Sequence, residues 1–428
     1  MLHNVNEYAI KTTRANRLCI TLLIAACTPL SAATLCVNPG GTGGCFSKIQ
    51  QAVNAAGPND TIKVAPGTYK EAVTISTPLS LVGAGRDNTI INAKDLPNGI
   101  NINGKDHARL GNVVVSGFTV ENANFEGILI TNAFSITIWN NRVIQNNQSL
   151  DISTVTCPGI PPFETAEGFD CGEGIHLTGV YYSTVTGNIV QNNAGGILLS
   201  DETGPTHDNL IANNVVKDNP FDCGITLASH PPASGTGKPL KVFHNTIANN
   251  QSSHNGTKVP GAGAGVGMFG FLPGATVSSN VVINNVLTDN GLPGVAFHGH
   301  APGGEILDDN VIVGNYIAGN GADTDDAATP GPAGINIFGV SPIHGTIISR
   351  NVIDHEAAQV VINTPAEVEV HLNNFLDDTL GVDNLSTGTV DATENWWACP
   401  AGPGGAEECA NVGGPGVLFE PWLTSPLK

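Results

Sequence analysis

Residues 174–200, GIHLTGVYYSTVTGNIVQNNAGGILLS, contain one complete unit of a repeat that decides the fold. The unit begins with Gly followed by apolar-x-apolar, continues through an alternating segment to Asn188, and reaches Asn193 shortly before the next Gly-apolar-x-apolar phrase. Short strands with a period of two have one apolar side, which they cannot bury alone. Units of this kind must therefore pack against copies of themselves.

The Gly-apolar-x-apolar phrase recurs along most of the chain. It begins at Gly99, Gly127, Gly174, Gly196, Gly224, Gly265, Gly294 and Gly334, so successive starts are 28, 47, 22, 28, 41, 29 and 40 residues apart. A base period of 22 to 29 residues with insertions accounts for every interval. A fixed period of short strands predicts a solenoid in which parallel strands stack about 4.8 Å apart.

A second phrase, Asn-apolar-apolar, follows the first in each unit. It begins at Asn188, Asn214, Asn280, Asn310 and Asn351, with the variants Asn-Arg-Val at Asn141 and Asn-Thr-Ile at Asn245. Asn tolerates left-handed backbone, and its amide can bond to the next coil. We therefore interpret these residues as structural and assign them no catalytic role.

These repeats resemble the right-handed parallel β-helix family, which includes pectate lyases, pectin methylesterases and polygalacturonases. The opening segments 46–56, 60–71 and 79–85 are similar to the capping helix and first coil of such proteins, and the Trp-containing segments 395–397 and 419–423 are similar to their terminal coils. The resemblance implies an all-β chain, a single-stranded right-handed parallel β-helix with an N-terminal capping helix. Its expected extent is 34–428, with an N-terminal cap near 36–60 and a C-terminal cap near 391–428.

The N-terminus is typical of an export signal. Lys11, Arg14 and Arg17 precede the apolar stretch 18–30, and small residues before Thr34 suit cleavage after Ala33. We expect residues 1–33 to be removed and the protein to be secreted or periplasmic, with lipoprotein processing at Cys27 as the alternative.

Seven cysteines follow this signal, and an exported compartment favours disulfides. We expect three pairs and one unpaired cysteine: Cys36–Cys45, Cys399–Cys409 and Cys157–Cys171, with Cys223 left over.

The composition and charge of the chain limit the classes of molecule that it could bind. The chain is 41% apolar and 13% charged, with a formal charge of -20, and it has no run of eighteen apolar residues. This excludes a disordered chain and a membrane span, and it disfavours nucleic acid as a partner. A groove along a solenoid suits a polysaccharide. The acidic charge favours a neutral or modified glycan, because a polyuronate would need Ca²⁺ to bridge it.

The long intervals locate the expected groove. Insertions at 148–173, 231–239, 251–264 and 321–333 adjoin the Gly-apolar-x-apolar strand. We therefore expect them to form the sides of a groove that runs over the outer face of that strand. Aligning the coils gives two outward columns of side chains: His176, Leu198, Thr226, Gly267, Ala296 and Asn336 in one, and Thr178, Ser200, Ala228, Phe269, His298 and Phe338 in the other. From these columns and the next position we predict five substrate-binding residues: His176, Phe269, Phe271, Asn336 and Phe338.

Titratable groups follow the same strand. Glu202, His230, Phe271 and His300 share one register beyond its end, so we expect Glu202 to neighbour His230, with His300 about two coils further on. His298 and His300 are two residues apart and face the same side of a strand. We predict His230, His298 or His300 as proton-transfer residues and Glu202 or Asp222 as the carboxylate partner.

Other interpretations of these residues remain open. His298 and His300 could bind a metal with His230 or a carboxylate, as in the periplasmic copper-site maturation proteins of this fold, or could be hydrogen-bonded loop residues beside Gly299. Asp323, Asp325 and Asp326 form an acidic loop that could bind Ca²⁺ or be solvated. We assign no metal ligand.

The family comparison also narrows the chemistry. We find no Arg on the groove face to match the base of pectate lyases, and the epimerase sequence Asp-Pro-His-Asp is absent. Asp222-Cys223 and His298-Gly299-His300 are similar to parts of the polygalacturonase motifs. The leading prediction is a polysaccharide lyase or glycoside hydrolase; the alternatives are a non-catalytic glycan-binding or surface scaffold protein and a metal-handling protein.

Overall fold

The computed structural model describes residues 32–154, 156–164, 171–229, 240–259, 262–300 and 302–428. His230 and residues 1–31 of the predicted signal lie outside these ranges. Within them, one α-helix spans Ile49–Ala55, one 3-10 helix spans Asp325–Ala327, and 41 β-strands, numbered in chain order, form three long sheets and one short sheet.

Sheet one has fourteen strands in the described ranges. They are β1 (Thr34–Val37), β2 (Asp60–Val64), β5 (Leu79–Gly83), β8 (Val114–Ser116), β11 (Thr137–Trp139), β14 (Thr184–Thr186), β18 (Leu210–Ala212), β22 (Thr246–Ala248), β26 (Val281–Ile283), β29 (Val311–Val313), β32 (Ile347–Ser349), β35 (Val368–His371), β38 (Val390–Asp391) and β41 (Val417–Leu418).

Sheet two contains the strands of the Gly-apolar-x-apolar phrase. They are β4 (Val73–Ile75), β7 (Ile100–Asn103), β10 (Ile128–Thr131), β13 (Ile175–Thr178), β16 (Ile197–Ser200), β20 (Ile225–Ser229), β24 (Val266–Gly270), β28 (Val295–Gly299), β31 (Ala333–Gly339), β34 (Ala358–Asn363), β37 (Leu380–Asn384) and β40 (Asn411–Gly413).

The strands of sheet three follow turns that contain Asn. A fourth, short sheet has three strands, each of which directly precedes a strand of sheet one in the chain. Sheet three consists of β3 (Gly67–Tyr69), β6 (Thr89–Asn92), β9 (Thr119–Glu121), β12 (Arg142–Ile144), β15 (Ile189–Gln191), β19 (Val215–Lys217), β23 (Gln251–Ser253), β27 (Val286–Thr288), β30 (Tyr316–Ala318), β33 (Val352–Asp354), β36 (Asn374–Phe375) and β39 (Trp396–Trp397). The short sheet consists of β17 (Thr206–His207), β21 (Val242–Phe243) and β25 (Val277–Ser278).

Each coil of the chain visits sheets two, one and three in turn and then returns to sheet two one coil later. Each new strand pairs in parallel with the corresponding strand of the previous coil, as Ile128 pairs with Ile175 and Ile175 with Ile197. The inward side chains, such as Ile175 and Leu177, join one continuous apolar core. The predicted parallel solenoid is therefore confirmed.

Glycine begins the sheet-two strands because neighbouring backbones approach closely there. A Cβ atom added to Gly196 would clash with the carbonyl oxygen of Gly224 in the next coil. The repeated Gly is therefore a packing requirement, since any larger residue would push adjacent coils apart.

The Asn residues form ladders that run from coil to coil. In the first ladder, each Oδ1 accepts hydrogen bonds from the backbone N–H and Nδ2 of the ladder residue in the preceding coil. Its members are Asn141, Asn188, Asn214, Asn250, Asn285, Asn315, Asn351, Asn373 and Asn395. The residue directly before the ladder Asn has the left-handed backbone. Before Asn250, for example, Asn249 has a φ of 55°. The structural interpretation is confirmed for Asn141, Asn188, Asn214 and Asn351. Asn245, Asn280 and Asn310 are also structural, but they belong to a separate ladder that includes Asn209 and lies in the turn before sheet one.

A second ladder ends in a carboxylate instead of an amide. It runs through Asn146, Asn193, Asn219, Asn255, Asn290, Asn320 and Glu356. The backbone N–H and Nδ2 of Asn320 both donate to Glu356, which is 3% exposed. Burial raises the pKa of Glu356 to about 7, although the bonds from Asn320 favour its charged form.

We expect a Glu356→Gln variant to be more stable than the wild-type protein at pH 8. Because the native pKa of about 7 exceeds the unfolded value of about 4.3, the native state binds more protons in that window, and stability falls as pH rises through it. The gain in unfolding free energy should be up to about 3 kcal/mol at pH 8 and should fall to about 1 kcal/mol near pH 5.

Urea unfolding at both pH values measures this difference. Glu367→Gln, at an exposed position, is the control and should change the free energy of unfolding by less than about 0.5 kcal/mol. Equal stability of wild type and Glu356→Gln at pH 8 would show that the buried carboxyl carries no charge penalty.

The first coil is covered as expected, although the helix is shorter than the predicted 46–56. The α-helix buries Ile49, Ala52 and Val53, and the carboxylate of Glu71 accepts the N–H groups of Ile49 and Gln50 at 2.8 and 3.0 Å. This bond satisfies donors that a helix start leaves free.

The predicted cysteine pairing is confirmed. Three disulfides join the expected pairs: Cys36–Cys45, Cys157–Cys171 and Cys399–Cys409. Cys223 is buried and is not disulfide-bonded. Within the described ranges, no helix has the length and apolar character needed to cross a bilayer.

Candidate functional site

The strand register places the predicted columns on sheet two. His176, Leu198, Thr226, Gly267, Ala296 and Asn336 pair in succession from coil to coil, as do Thr178, Ser200, Ala228, Phe269, His298 and Phe338. The predicted insertions adjoin this sheet, because long connections precede β13, β24 and β31 and follow β20.

The expectation that these columns face an open groove is wrong at several positions. His176 is 2% exposed, Asn336 is 0% and Phe338 is 6%. Phe269 is partly buried and packs beside Cys223 and Ala296. Of the five predicted substrate-binding residues, only Phe271 is strongly exposed, at 40%.

Two groups of ionisable residues lie on this sheet. The first, here called the His298 cluster, consists of His298, His300, Asp323, Asp325 and Asp326. β28 supplies His298, His300 follows that strand, and the connection from β30 to β31 brings the three aspartates over it. The two imidazole rings lie 4.3 Å apart between centroids, so their predicted proximity is confirmed.

A buried hydrogen bond orients His298. Its Nδ1 lies 2.7 Å from Oδ2 of Asp323, and both side chains are 2% exposed. Nδ2 of Asn336 donates to the same carboxylate oxygen at 3.3 Å. Because an ionised carboxylate can only accept, Nδ1 carries a proton and Nε2 is the atom that can exchange one.

Nε2 of His298 points toward the acidic loop. It makes no hydrogen bond in the described structure, and it lies 3.8 Å from Oδ2 of Asp325 and 3.6 Å from Oδ2 of Asp326. Nδ1 of His300 lies 3.6 Å from the same oxygen of Asp325. The side chain of Asp325 is 63% exposed, whereas Nε2 of His298 is itself buried, so solvent reaches the carboxylate that faces the ring.

The surroundings of His298 and His300 shift the pKa values of the two side chains in opposite directions. Burial alone would lower the pKa of His298, but the hydrogen bond and charge of Asp323, with Asp325 and Asp326 nearby, outweigh it and raise that pKa. Burial, followed by the positive charge of His298, lowers the pKa of His300. His298 therefore keeps its proton to a higher pH than a free histidine, and His300 loses its proton at a lower pH.

Aromatic rings border the His298 cluster. Phe271 packs edge-to-face on His300 at 5.0 Å between ring centroids, and Phe338 lies 4.6 Å from His298. The exposed ring of Phe271 is the apolar surface that a sugar could contact here, whereas the buried ring of Phe338 supports His298.

The second group, here called the His176 cluster, lies beneath the connection from β12 to β13. It consists of Glu126, Glu164, His176, Ser200 and Glu202. Nε2 of His176 lies 2.8 Å from Oγ of Ser200 and 3.3 Å from Oε2 of Glu202, and the Ser200 hydroxyl donates to the same oxygen. Nδ1 of His176 lies 4.0 Å from Oε1 of Glu126.

Charge is concentrated in the His176 cluster without exposure to water. Burial alone would lower the pKa of His176, but the neighbouring carboxylates of Glu126 and Glu202 raise it well above its usual value. Burial, and then the charge of Glu126, raises the pKa of Glu164 well above the usual range.

The two clusters lie on different coils of sheet two. Glu202 contacts His176 of the preceding coil and Ser200 of its own coil, and its predicted neighbour His230 lies outside the described residues. By strand order, β13 and β28 are four steps apart, or about 19 Å. Asp222 lies beside Cys223, whose pKa is raised by burial and then by the charge of Asp222.

Sequence reasoning missed Glu126 and Glu164 and gave Asp323 only a solvated or Ca²⁺-binding role. The repeat could have pointed to Glu126, because a Glu directly precedes the Gly of the repeated phrase in two successive coils, at Glu126-Gly127 and at Glu173-Gly174. Glu164 lies inside an insertion, where no repeat predicts its position. The donor atoms of His298, His300, Asp325 and Asp326 lie within 4.8 Å of one another and could hold a metal ion.

Comparison with known proteins identifies the architecture. The family model described as "Right handed beta helix region" matches residues 83–280. No curated protein sequence matches the chain.

Three solved structures are similar across most of their length. The mannuronan C-5 epimerase AlgE6 A-module of Azotobacter vinelandii is 15% identical with a TM-score of 0.54, covering 89% of this chain and 94% of that one. The GH87 α-1,3-glucanase catalytic unit of Streptomyces thermodiastaticus strain HF3-3 is 12% identical with a TM-score of 0.51, covering 92% and 70%. The DFA-IIIase of Arthrobacter chlorophenolicus A6, without its lid, is 14% identical with a TM-score of 0.50, covering 89% and 98%.

Proposed function

Because this chain is a right-handed parallel β-helix protein, we propose that it is a carbohydrate-active enzyme that cleaves a polysaccharide at the His298 cluster. The observation that carries the proposal is the buried hydrogen bond of 2.7 Å between Nδ1 of His298 and Asp323. It supports a role for Nε2 of His298 in proton transfer, because the bond orients the ring and stabilises the imidazolium that forms.

The acidic surroundings favour hydrolysis of a neutral glycan over elimination from a polyuronate. The chain carries a formal charge of -20, and Asp325 and Asp326 flank the proposed catalytic nitrogen, so an anionic sugar would be repelled. In the proposed reaction, His298 takes a proton from water, the water oxygen bonds to the anomeric carbon, and an aspartic acid protonates the departing glycosidic oxygen.

Two further observations support a carbohydrate substrate. The exposed ring of Phe271 lies against His300, where it can contact the apolar face of a sugar. Enzymes named for action on mannuronan and on α-1,3-glucan share the fold of this chain. We further propose that the protein is exported, which the three disulfides support.

A panel of glycans tests the proposal. The full-length protein is incubated with neutral glucans, fructans, mannans and xylans, and with polyuronates with and without Ca²⁺. We expect new reducing ends from a neutral polymer and no ultraviolet absorbance from unsaturated uronate. Appearance of that absorbance would identify a lyase instead, and binding without turnover of any glycan would contradict an enzyme and indicate a scaffold.

The donor set of the His298 cluster favours one second candidate function, which is metal handling. Four donor atoms within 4.8 Å of one another include two imidazoles, which suit transition metals. Metal analysis of protein purified without chelator tests this candidate. Copper or zinc that is present in the wild type and lost in a His298→Gln/His300→Gln double variant would support it, whereas a metal-free protein would contradict it.

A further inference from the structure

The His176 cluster takes no part in the reaction proposed at the His298 cluster, and its chemistry points to a separate ligand. We propose that Glu126, Glu164 and Nδ1 of His176 bind a divalent transition-metal ion of the zinc type. One ligand atom from each of these three residues lies within 4.8 Å of the other two. Three atoms bound to one zinc ion at about 2.0–2.2 Å lie within about 4.4 Å of one another, so only a small adjustment completes the site.

Unsatisfied buried atoms are the main support for a cation. Both carboxylate oxygens of Glu126, both of Glu164 and Nδ1 of His176 are buried without a hydrogen-bond partner in the described structure. These three residues are 1%, 2% and 2% exposed. Buried polar atoms almost always have partners, and neighbouring buried carboxylates are costly without a positive charge.

No Lys or Arg among the described residues forms a salt bridge with these carboxylates. Among the described residues, the salt bridges of Lys and Arg join Arg142 to Asp87 and Lys217 to Asp218, and none reaches this cluster. A bound divalent cation would compensate the carboxylates and give the unpartnered nitrogen a ligand bond at the same time.

The far side of the imidazole is arranged as in a metal-binding histidine. The Ser200 hydroxyl donates to Glu202, so its oxygen is left to accept from Nε2–H of His176 at 2.8 Å. This bond places the proton on Nε2 and leaves the lone pair on Nδ1, the atom that faces Glu126. Metal-ligating histidines commonly donate their second N–H to a hydroxyl or carboxylate in this way. Glu202 and Ser200 therefore act as positioning residues.

The three ligands come from separate parts of the chain. Glu126 precedes β10, His176 lies on the neighbouring strand β13 in register with Leu129, and Glu164 belongs to the long connection before β13. The disulfide Cys157–Cys171 lies in that connection and packs against Phe125. A metal ion here would tie the connection to two coils of sheet two.

The mixture of ligand atoms selects the kind of metal. One imidazole nitrogen with two carboxylates suits Zn²⁺ and similar transition metals, whereas Ca²⁺ and Mg²⁺ prefer oxygen ligands only. We therefore expect Zn²⁺ to bind and Mg²⁺ not to compete with it.

Calorimetric titration of the chelator-treated full-length protein with Zn²⁺ tests this proposal. We expect one site with a dissociation constant on the order of micromolar or tighter in a His298→Gln/His355→Gln double variant, which removes a histidine from each of the two other candidate donor sets. Adding Glu126→Gln or Glu164→Gln to that variant should weaken Zn²⁺ binding at least tenfold. Glu202→Gln should weaken it by about 10- to 100-fold, as expected for a residue that orients a ligand.

Circular dichroism establishes that each variant is folded, and Glu164→Gln, in the connection rather than on a strand, is the variant least able to disturb the coils. Zn²⁺ affinity that is unchanged in Glu126→Gln and Glu164→Gln would overturn the proposal, as would no binding by the folded His298→Gln/His355→Gln protein. Because the measurement does not read glycan turnover, its result is independent of the proposed enzymatic function.

Discussion

A His298→Gln variant is expected to lose about 10²- to 10⁴-fold in kcat on the glycan that the wild-type protein cleaves, with little change in KM. Gln removes the group that exchanges a proton at Nε2, while the exposed ring of Phe271 remains to contact the sugar. Initial rates across substrate concentrations, measured after circular dichroism has shown normal folding, give both constants.

An Asp323→Asn variant separates proton transfer from simple packing. Its amide can donate to Nδ1 of His298, which would favour the tautomer with the proton on Nε2 and remove the lone pair that accepts one. We expect a loss of kcat of at least about 10²-fold although the side-chain size is nearly unchanged.

The matched control for His298→Gln is His254→Gln. The side chain of His254 is 58% exposed and follows a strand of sheet three. Equal activity of His298→Gln and His254→Gln would contradict the proposed role.

An Asn250→Ala variant is expected to reduce the free energy of unfolding by about 3–5 kcal/mol. The substitution deprives the backbone N–H and Nδ2 of Asn214 of their acceptor, and the carbonyl of Ile211 of a donor. Each buried group left without a partner costs about 1–3 kcal/mol. Urea unfolding followed by circular dichroism measures the difference.

The neighbouring Gln251 provides the control for this prediction. It begins β23 with an exposed side chain, so Gln251→Ala should cost less than about 0.5 kcal/mol. A loss below about 1 kcal/mol for Asn250→Ala would show that water replaces the ladder bonds without penalty.

The coil arrangement could be predicted from the sequence because each feature depends on near neighbours in a repeat. Counting from Gly174 and Gly196 aligned His176 with Leu198, and the structure pairs these residues. The helical cap is implied by the resemblance of the segment 46–56 to the family's capping helix, and the short-range cysteine pairs are predicted from their spacing together with the predicted export signal.

The partners of the ionisable groups could not be predicted in this way. Register places Glu202 beyond its strand but does not determine which side chains it contacts, and His176 is one of them. Glu164 and Asp323 reach their positions through insertions, whose paths do not follow the repeat. Burial of Asn336 and Phe338 depends on those same paths.

The first ladder and the long connections lie on different sides of each coil. Residues of that ladder such as Asn250 occupy the turn between sheets one and three, whereas the long connections adjoin sheet two. Changes in the length of those connections therefore leave the spacing of the first ladder intact. New surface chemistry could accumulate by exchanging whole segments beside sheet two, with no compensating change in the interior of the protein.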